Sequence, residues 1–252
     1  MRIVSLVPST TATLCEGGLQ DQIVGCTNFC VEPANLHRTS KIVGGTKDPD
    51  IDKILELKPD IVFMNEEENR KDDYTALQES LQIHLSFPKS ADDVVAMLRD
   101  FHGLFSEESF LNMASDLEES LKKRSRESAG TALYFIWKQP YMLAGKGTFI
   151  DHMLSLFGFE NMAPEDAPYP EISLTDFKGK APQYVLLSSE PYPFRQRDTK
   201  EISEMFPQSK ILKIDGKLMS WHGVHTVRAL RQFEDWKLGR RQDLLKEFSL
   251  PL

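Results

Sequence analysis

Two glutamates occupy equivalent positions in two similar segments of this chain. One segment reads KPDIVFMNEE and the other APQYVLLSSE, and alignment on Pro59 and Pro182 places Glu67 at the same offset as Glu190. Carboxylates at matching places in two similar units suit ion pairs with arginines of a partner, where charge sets orientation and association rate. We therefore predict that Glu67 and Glu190 dock an arginine-bearing partner. Plain solvation of a surface glutamate is the alternative.

Two histidines, His222 and His225, have the spacing of two metal ligands on one helical turn. A zinc hydrolase of this pattern carries a glutamate between them, whereas Gly223 and Val224 fill the gap here. We expect the pair to pack at a helix start and predict no metal site.

Signatures of catalysis are absent from the sequence. The glycine loops at Gly44–Gly45 and Gly145–Gly147 match neither a phosphate-binding loop nor a dinucleotide fingerprint. Ser9 and Ser189 follow apolar runs, but no glycines flank them as in a nucleophile elbow. The sequence therefore predicts a protein that is not an enzyme.

Aromatic, small polar and glycine residues gather where predicted strands end. Open α/β sheets bind ligands at these carboxyl ends, and such residues suit a large, flat, partly apolar ligand. A single tryptophan more often fills a core, but several aromatics at predicted loop positions favour a ligand cleft. The predicted contacts are Pro8, Ser9, Thr10, Phe29, Gly44, Gly45, Trp137, Tyr141, Tyr169, Trp221 and His222.

The elements that would position these residues alternate between strands and helices. Apolar runs such as Ile3–Val7 and Ile61–Met64 are separated by amphipathic stretches and by Gly and Pro turn signals. This alternation is typical of α/β proteins with largely parallel sheets. Ser9 or Thr10 is the predicted cap of the first helix, and 138–147 is predicted to be a loop.

A long helix is predicted over 107–128. Phe110, Ala114, Leu117 and Leu121 recur at helical spacing without an intervening Gly or Pro. About 22 residues would form a rod of about 33 Å, long enough to reach from one lobe to another.

The net charge of −8 argues against nucleic acid as a partner, because binding to phosphates needs clustered Lys and Arg. The three cysteines all lie within the first 30 residues, and we expect free thiols. No run of about 18 apolar residues would span a membrane. The start of the chain is too short and too soon interrupted to be a secretory signal, so the chain is expected to be cytosolic or to have lost a signal.

Several short stretches resemble the substrate-binding proteins of ABC importers for cobalamin, within a wider group that carries siderophores and haem. They run through nearly the whole chain in the order typical of that family. They are Arg2–Ser9, Val43–Thr46, Leu55–Val62, Tyr134–Trp137, Gly158–Asn161, Ser188–Phe194 and Ser220–Gly223.

The resemblance implies two Rossmann-like α/β lobes bridged by one long helix, with ligand between the lobes. The expected limits are 1–104 for the first lobe, 105–129 for the helix and 130–252 for the second lobe. The ligand would be a corrinoid such as cobalamin, with no intrinsic cofactor; its cobalt would need no protein ligand, although His222 is the candidate. Glu67 and Glu190 would engage arginines of the importer's membrane subunits, with Glu66 and Glu68 as alternatives to Glu67.

The resemblance further implies a periplasmic or extracytoplasmic protein, and we expect a monomer. Haem and a ferric siderophore remain alternative ligands. A cytosolic corrinoid chaperone, or a metal-dependent enzyme using His222 and His225, is the alternative function on the same scaffold.

Overall fold

The structure is a computed structural model, and it describes residues 1–124, 127–177, 179–240 and 245–247. These residues divide into two compact units. Unit 1 comprises Met1–Pro88, Asp92–Asp116 and His222–His225. Unit 2 comprises Lys89–Ala91, Leu117–Trp221 and the described residues from Thr226 onward. The lobe limits given above stay a prediction.

Unit 1 contains a five-stranded sheet in which every pairing is parallel. The strand order is β3-β2-β1-β4-β5. The strands are β1 (Ile3–Ser5), β2 (Ile23–Cys26), β3 (Lys41–Ile42), β4 (Ile61–Asn65) and β5 (Ile83–Ser86).

Helices cover both faces of this sheet. They are α1 (Pro8–Leu14), α2 (Ile51–Glu56), α3 (Lys71–Gln78), α4 (Ala91–Phe105) and α5 (Glu108–Lys123). Val62 and Met64 of β4 pack in one apolar cluster with Ile54 of α2 and Leu77 of α3. Phe63 lies between them in sequence and so faces the other side, where its ring packs edge-on against Phe101 of α4 at 5.3 Å. The apolar run of β4 is therefore buried on both faces.

The start of α1 differs from the prediction. Pro8 is the first helical residue and Val7 the N-cap, without a side-chain cap. Proline suits this position because it lacks an N–H that would have no partner there and because its φ is already helical. The predicted cap at Ser9 or Thr10 is wrong, since both lie inside the helix.

The long helix is shorter than predicted. α5 begins at Glu108 but ends at Lys123, while Glu127 and Ser128 are not helical and residues 125 and 126 lie outside the described residues. Sixteen residues correspond to about 24 Å, so the predicted length of 33 Å is wrong. The Arg124 guanidinium donates to the Leu121 carbonyl at 2.7 Å and so satisfies an acceptor at the helix end. The division between the two units falls inside α5.

Unit 2 contains a seven-stranded mixed sheet. Its order is β12-β11-β10-β6-β7-β9, with β8 beside β6. Three pairings are parallel (β10 with β11, β10 with β6, β6 with β8), and β7, β9 and β12 pair antiparallel. The strands are β6 (Gly130–Trp137), β7 (Tyr141–Leu143), β8 (Phe159–Asn161), β9 (Glu171–Ile172), β10 (Tyr184–Ser188), β11 (Lys210–Ile214) and β12 (Lys246–Glu247).

Four α-helices accompany this sheet within the described residues. They are α6 (Phe149–Leu156), α7 (Thr199–Met205), α8 (Gly216–Ser220) and α9 (Val224–Lys237). Leu133 and Phe135 of β6 pack with Val185 and Leu187 of β10 in the core, where Ile202 of α7 joins them. The predicted α/β class with mainly parallel sheets is confirmed.

The predicted loop 138–147 is partly wrong, because β7 turns back antiparallel against β6 there. Phe135 pairs with Leu143, and Trp137 pairs with Met142.

None of the helices in the described part of the chain combines the length and apolar character needed to cross a lipid bilayer.

The short segment His222–His225, which includes the start of α9, packs on α1 inside unit 1. The Val224 N–H donates to Thr13 Oγ1 at 3.1 Å, and Thr13 in turn donates to the Ser9 carbonyl at 2.8 Å. Gly223 has a φ of +80°, and a Cβ there would overlap Thr13 Oγ1. A glycine is thus required both by the backbone conformation and by the close approach to α1.

We expect Gly223→Ala to lower the free energy of unfolding by about 3 kcal/mol. The left-handed conformation costs an alanine about 1–2 kcal/mol, and overlap with Thr13 adds about 1–3 kcal/mol. Denaturant unfolding measures the change. Gly18→Ala is the matched control, since Gly18 also has a positive φ (+96°) but open space around its Cβ position. Equal losses in the two variants would show that the contact with Thr13 is unimportant.

Candidate ligand-binding and docking sites

The first predicted contacts, Pro8, Ser9 and Thr10, lie at the start of α1 and are all buried. Ser9 Oγ is hydrogen-bonded to Nδ1 of His222 at 3.0 Å. Among the residues that the structure describes, the buried Thr10 hydroxyl has no hydrogen-bond partner. Two of the predicted contacts, Ser9 and His222, thus meet in unit 1, and their contact with a ligand stays a prediction.

The two histidines of the predicted pair have different partners. Burial lowers the pKa of His222 to about 4, so its imidazole is neutral at neutral pH. His225 Nε2 lies 3.0 Å from Glu32 Oε2, which ties the start of α9 to the loop after β2. Among the described residues, no cluster of three or more His, Cys, Asp or Glu side chains is arranged to hold a metal ion.

Phe29 lies in the loop after β2 and is 54% exposed. Its turn is fixed locally, because the Phe29 N–H donates to Thr27 Oγ1 at 3.3 Å and the Asn28 N–H donates to the Gly44 carbonyl at 3.0 Å. An aromatic side chain is thus held at the surface by a structured backbone.

The predicted glycines Gly44 and Gly45 form a tight turn beside Phe29. Gly44 has a φ of +98°, and a Cβ there would overlap the Asp48 carbonyl. A Cβ at Gly45 would overlap the Asp48 carboxylate. The close approach of Asp48 therefore explains why both positions are glycine. Their backbone contact with a ligand stays a prediction.

The three cysteines are free, as predicted. Cys30 Sγ lies 3.1 Å from the Thr11 hydroxyl and 3.2 Å from the Thr27 hydroxyl. Burial raises the pKa of the Cys30 thiol, but hydrogen bonds with Cys26 first, and then with Thr11 and Thr27, outweigh this effect and lower the pKa to about 7. The thiol is 1% exposed and helps to hold the loop that carries Phe29.

In unit 2, Trp137 is the last residue of β6 and Tyr141 the first of β7, so both flank the same hairpin turn. Trp137 is 39% exposed, and its ring packs edge-on against Tyr192 at 5.7 Å. The Tyr141 hydroxyl donates to Glu201 Oε2 at 2.8 Å. Burial, and then Glu201, raises the pKa of Tyr141 above its usual value.

The other aromatic contacts predicted in unit 2 are half-buried. Trp221 ends α8, and the Lys217 ammonium lies 4.8 Å from its ring centroid, a cation–π distance. Tyr169 lies in the loop before β9. The contact of Tyr169 and Trp221 with a ligand stays a prediction.

Sequence reasoning missed Tyr192, which packs against Trp137, and it missed the linked pair Lys138 and Asp198. Lys138 Nζ lies 3.2 Å from Asp198 Oδ1, and the Tyr192 hydroxyl donates to the same oxygen at 3.3 Å. The only available signal was the stretch Ser188–Phe194, which contains Tyr192 but does not indicate its contacts.

The two predicted docking glutamates follow strands of identical length in the two units. β4 and β10 correspond residue for residue in the repeat, and each ends in a polar residue, Asn65 or Ser188. Asn65 Oδ1 accepts from the Glu67 N–H at 2.9 Å, and Ser188 Oγ accepts from the Glu190 N–H at 3.3 Å. Each glutamate is thus held two residues beyond its strand by the same kind of turn.

Comparison with known proteins places this geometry in a family. The model of the periplasmic binding protein family matches residues 3–213. A vitamin B12-binding protein of Vibrio cholerae serotype O1 is 25% identical over 194 residues, which cover 74% of this chain and 70% of that protein.

Solved structures share the fold over nearly the whole chain. The periplasmic vitamin B12-binding protein of Vibrio cholerae has a TM-score of 0.78 at 21% identity, covering 96% of this chain and 98% of its own. A periplasmic haem-binding protein from Pseudomonas aeruginosa has a TM-score of 0.83 at 17% identity, covering 100% of this chain and 99% of its own. These relatives are binding proteins, which confirms the prediction that the chain is not an enzyme. Because the family model spans most of its length, the chain belongs to the periplasmic binding protein family.

Proposed function

We propose that this protein captures a corrinoid of the cobalamin kind and delivers it to an ABC importer. The observation that carries the proposal is the exposure of Phe29 and Trp137 on ordered backbone. A large aromatic ring held at the surface contributes little to the core and is suited to contact a large, flat, partly apolar ligand.

The proposed contacts have different roles. Phe29, Trp137, Tyr141, Tyr169 and Trp221 would supply the apolar contact area. Pro8, Ser9, Thr10, Gly44 and Gly45 would add backbone contacts. His222, which is neutral and buried, would be the candidate ligand if the cobalt had one. We propose no protein ligand for the cobalt and no resident cofactor.

The choice of ligand draws support from the names of the relatives. The curated relative and one of the solved structures are vitamin B12-binding proteins, whereas the other solved structure is a haem-binding protein. We therefore retain haem as the second candidate ligand, and a ferric siderophore as the third.

The family description as periplasmic supports an extracytoplasmic location. A cytosolic corrinoid chaperone is the alternative, in which ligand binding persists without an importer. The monomeric state stays a prediction.

We further propose that Glu67 and Glu190 dock the importer's membrane subunits through arginines. The matching turns at Asn65 and Ser188 support this, because each fixes the backbone of its glutamate and limits where the carboxylate can reach. Glu66 and Glu67 are exposed whereas Glu68 is half-buried, and the repeat selects Glu67.

We expect Trp137→Ala and Trp221→Ala each to weaken cyanocobalamin binding at least about tenfold. Truncation of a central aromatic contact typically costs more than about 1 kcal/mol, and about 1.4 kcal/mol corresponds to a tenfold change. Calorimetric titration of the purified variants measures the effect.

Trp236→Ala is the matched control for these variants. Trp236 lies on α9, where its ring packs edge-on against Phe233 at 6.0 Å, and it is not among the proposed contacts. Its removal should leave affinity unchanged. Unaltered affinity in both Trp137→Ala and Trp221→Ala would remove the basis of the proposal.

We expect Glu67→Lys and Glu190→Lys each to weaken binding to the purified importer about tenfold or more, because a reversed charge repels the partner's arginines. Cyanocobalamin affinity should not change. Glu66→Lys is the control, one residue away and equally exposed. If Glu66→Lys impairs docking and Glu67→Lys does not, the alignment of the repeats selects the wrong residue.

A further inference from the structure

Asp198 is a buried carboxylate that no predicted contact includes. It ends a short 3-10 turn, Gln196–Asp198, immediately before α7, and is 4% exposed. A carboxylate so little exposed destabilises a protein unless hydrogen bonds and a counter-charge compensate for lost hydration.

Three donors compensate the Asp198 carboxylate for its lost hydration. The Lys138 ammonium lies 3.2 Å from Oδ1, the Tyr192 hydroxyl donates to Oδ1 at 3.3 Å, and the Arg195 N–H donates to Oδ2 at 2.9 Å. Burial raises the pKa of Asp198, but these donors outweigh it, so the net pKa is lowered and the carboxylate is charged at neutral pH.

Both side-chain donors are linked to Trp137. Lys138 is its neighbour in the chain, and the Tyr192 ring packs against the indole edge-on, with ring planes at 69°. Asp198 therefore joins the backbone beside Trp137 to the aromatic ring that supports its side chain.

The support beneath Tyr192 reaches the core of unit 2. Its ring packs against Phe194 at 4.8 Å, and Phe194 packs against Phe135 of β6 at 6.4 Å. Packing on Phe194 holds the Tyr192 ring, and Asp198 holds the Tyr192 hydroxyl. Trp137 therefore packs against a tyrosine ring whose orientation is fixed. A partly exposed indole without such a surface would distribute over several rotamers, and a ligand would have to select one of them at an entropic cost.

The same lysine also extends towards Tyr141, the other proposed contact at this hairpin. Lys138 Nζ lies 5.9 Å from the centroid of the Tyr141 ring. Asp198 neutralises the charge of Lys138. Trp137 and Tyr141 can therefore both contact an apolar ligand without an unpaired positive charge beside them.

We propose that Asp198 is a positioning residue, which holds Trp137 through Lys138 and Tyr192 in the orientation that contacts the planar face of the ligand. The inference rests on the proposed function, since it assumes that Trp137 touches the ligand. It also requires Trp137 to be ordered in the protein before the ligand binds.

The test uses Asp198→Asn, which keeps the shape of the side chain and removes its charge. In a background with Trp221→Phe and Trp236→Phe, Trp137 is the sole tryptophan of the chain. We expect Asp198→Asn to lower the fluorescence anisotropy of Trp137 and to raise its acrylamide quenching constant about twofold in the protein without ligand. With the natural tryptophans present, Kd for cyanocobalamin should rise about tenfold.

A double-mutant cycle separates positioning from a general structural role. In a Trp137→Ala background, Asp198→Asn should change Kd less than twofold, because its effect passes through the indole. Asp235→Asn is the control: Asp235 forms an exposed ion pair with Arg240 at 3.7 Å, and its loss should change neither readout. If Asp198→Asn does not fold, Tyr192→Phe tests the same link by removing one hydrogen bond, with smaller changes in the same directions.

The outcomes distinguish this inference from the proposed function. If Trp137 stays as ordered in Asp198→Asn and Tyr192→Phe as in the parent protein, the positioning role is wrong. An equal loss of affinity with and without the indole would also overturn it. If Trp137→Ala alone leaves cyanocobalamin affinity unchanged, the proposed contact fails, while the fluorescence result still decides whether Asp198 orders Trp137.

Discussion

The parallel strands β4 and β10 are buried on both faces, so their backbone groups can find partners only in neighbouring strands. Helices must then cover both faces of the sheet, and the chain can reach solvent only where pairing stops at the strand end. At that point Asn65 in unit 1 and Ser188 in unit 2 accept the N–H of the residue two positions on. The same constraint therefore produces the same exit turn in both units and places a glutamate on each.

Residues proposed for ligand contact depend on a second kind of support, in which local polar groups fix loops that the sheet does not reach. Thr27 holds the backbone of Phe29, and Ser9 pairs with His222. Asp198 similarly holds the tyrosine that supports Trp137. Hydrogen bonds of this kind stabilise only modestly but leave a buried group unsatisfied when they are broken. They are thus suited to fixing orientation rather than to providing the bulk of the stability.

The sequence predicted the elements whose burial produces a recognisable pattern of apolar residues over a short stretch of chain. Strands such as β1 and β4 were found because burial on both faces requires an apolar run, and the repeat aligned Glu67 with Glu190 without structural information. Short antiparallel strands such as β7 were missed because three residues beside a proline carry too weak a pattern. The end of α5 was misplaced because no Gly or Pro marks it in the sequence. The pairing of Lys138 with Asp198 joins residues 60 positions apart, and no local pattern indicates it.

The corrinoid identity of the ligand can be tested by direct titration. Purified protein without ligand would be titrated with cyanocobalamin, haem and a ferric siderophore, with binding followed by heat and absorbance. We expect a Kd for cyanocobalamin of about 1 μM or tighter, with weaker binding of haem and siderophore. Binding of haem or siderophore alone would keep the family but contradict the corrinoid assignment, and the absence of binding to all three would contradict the proposed function.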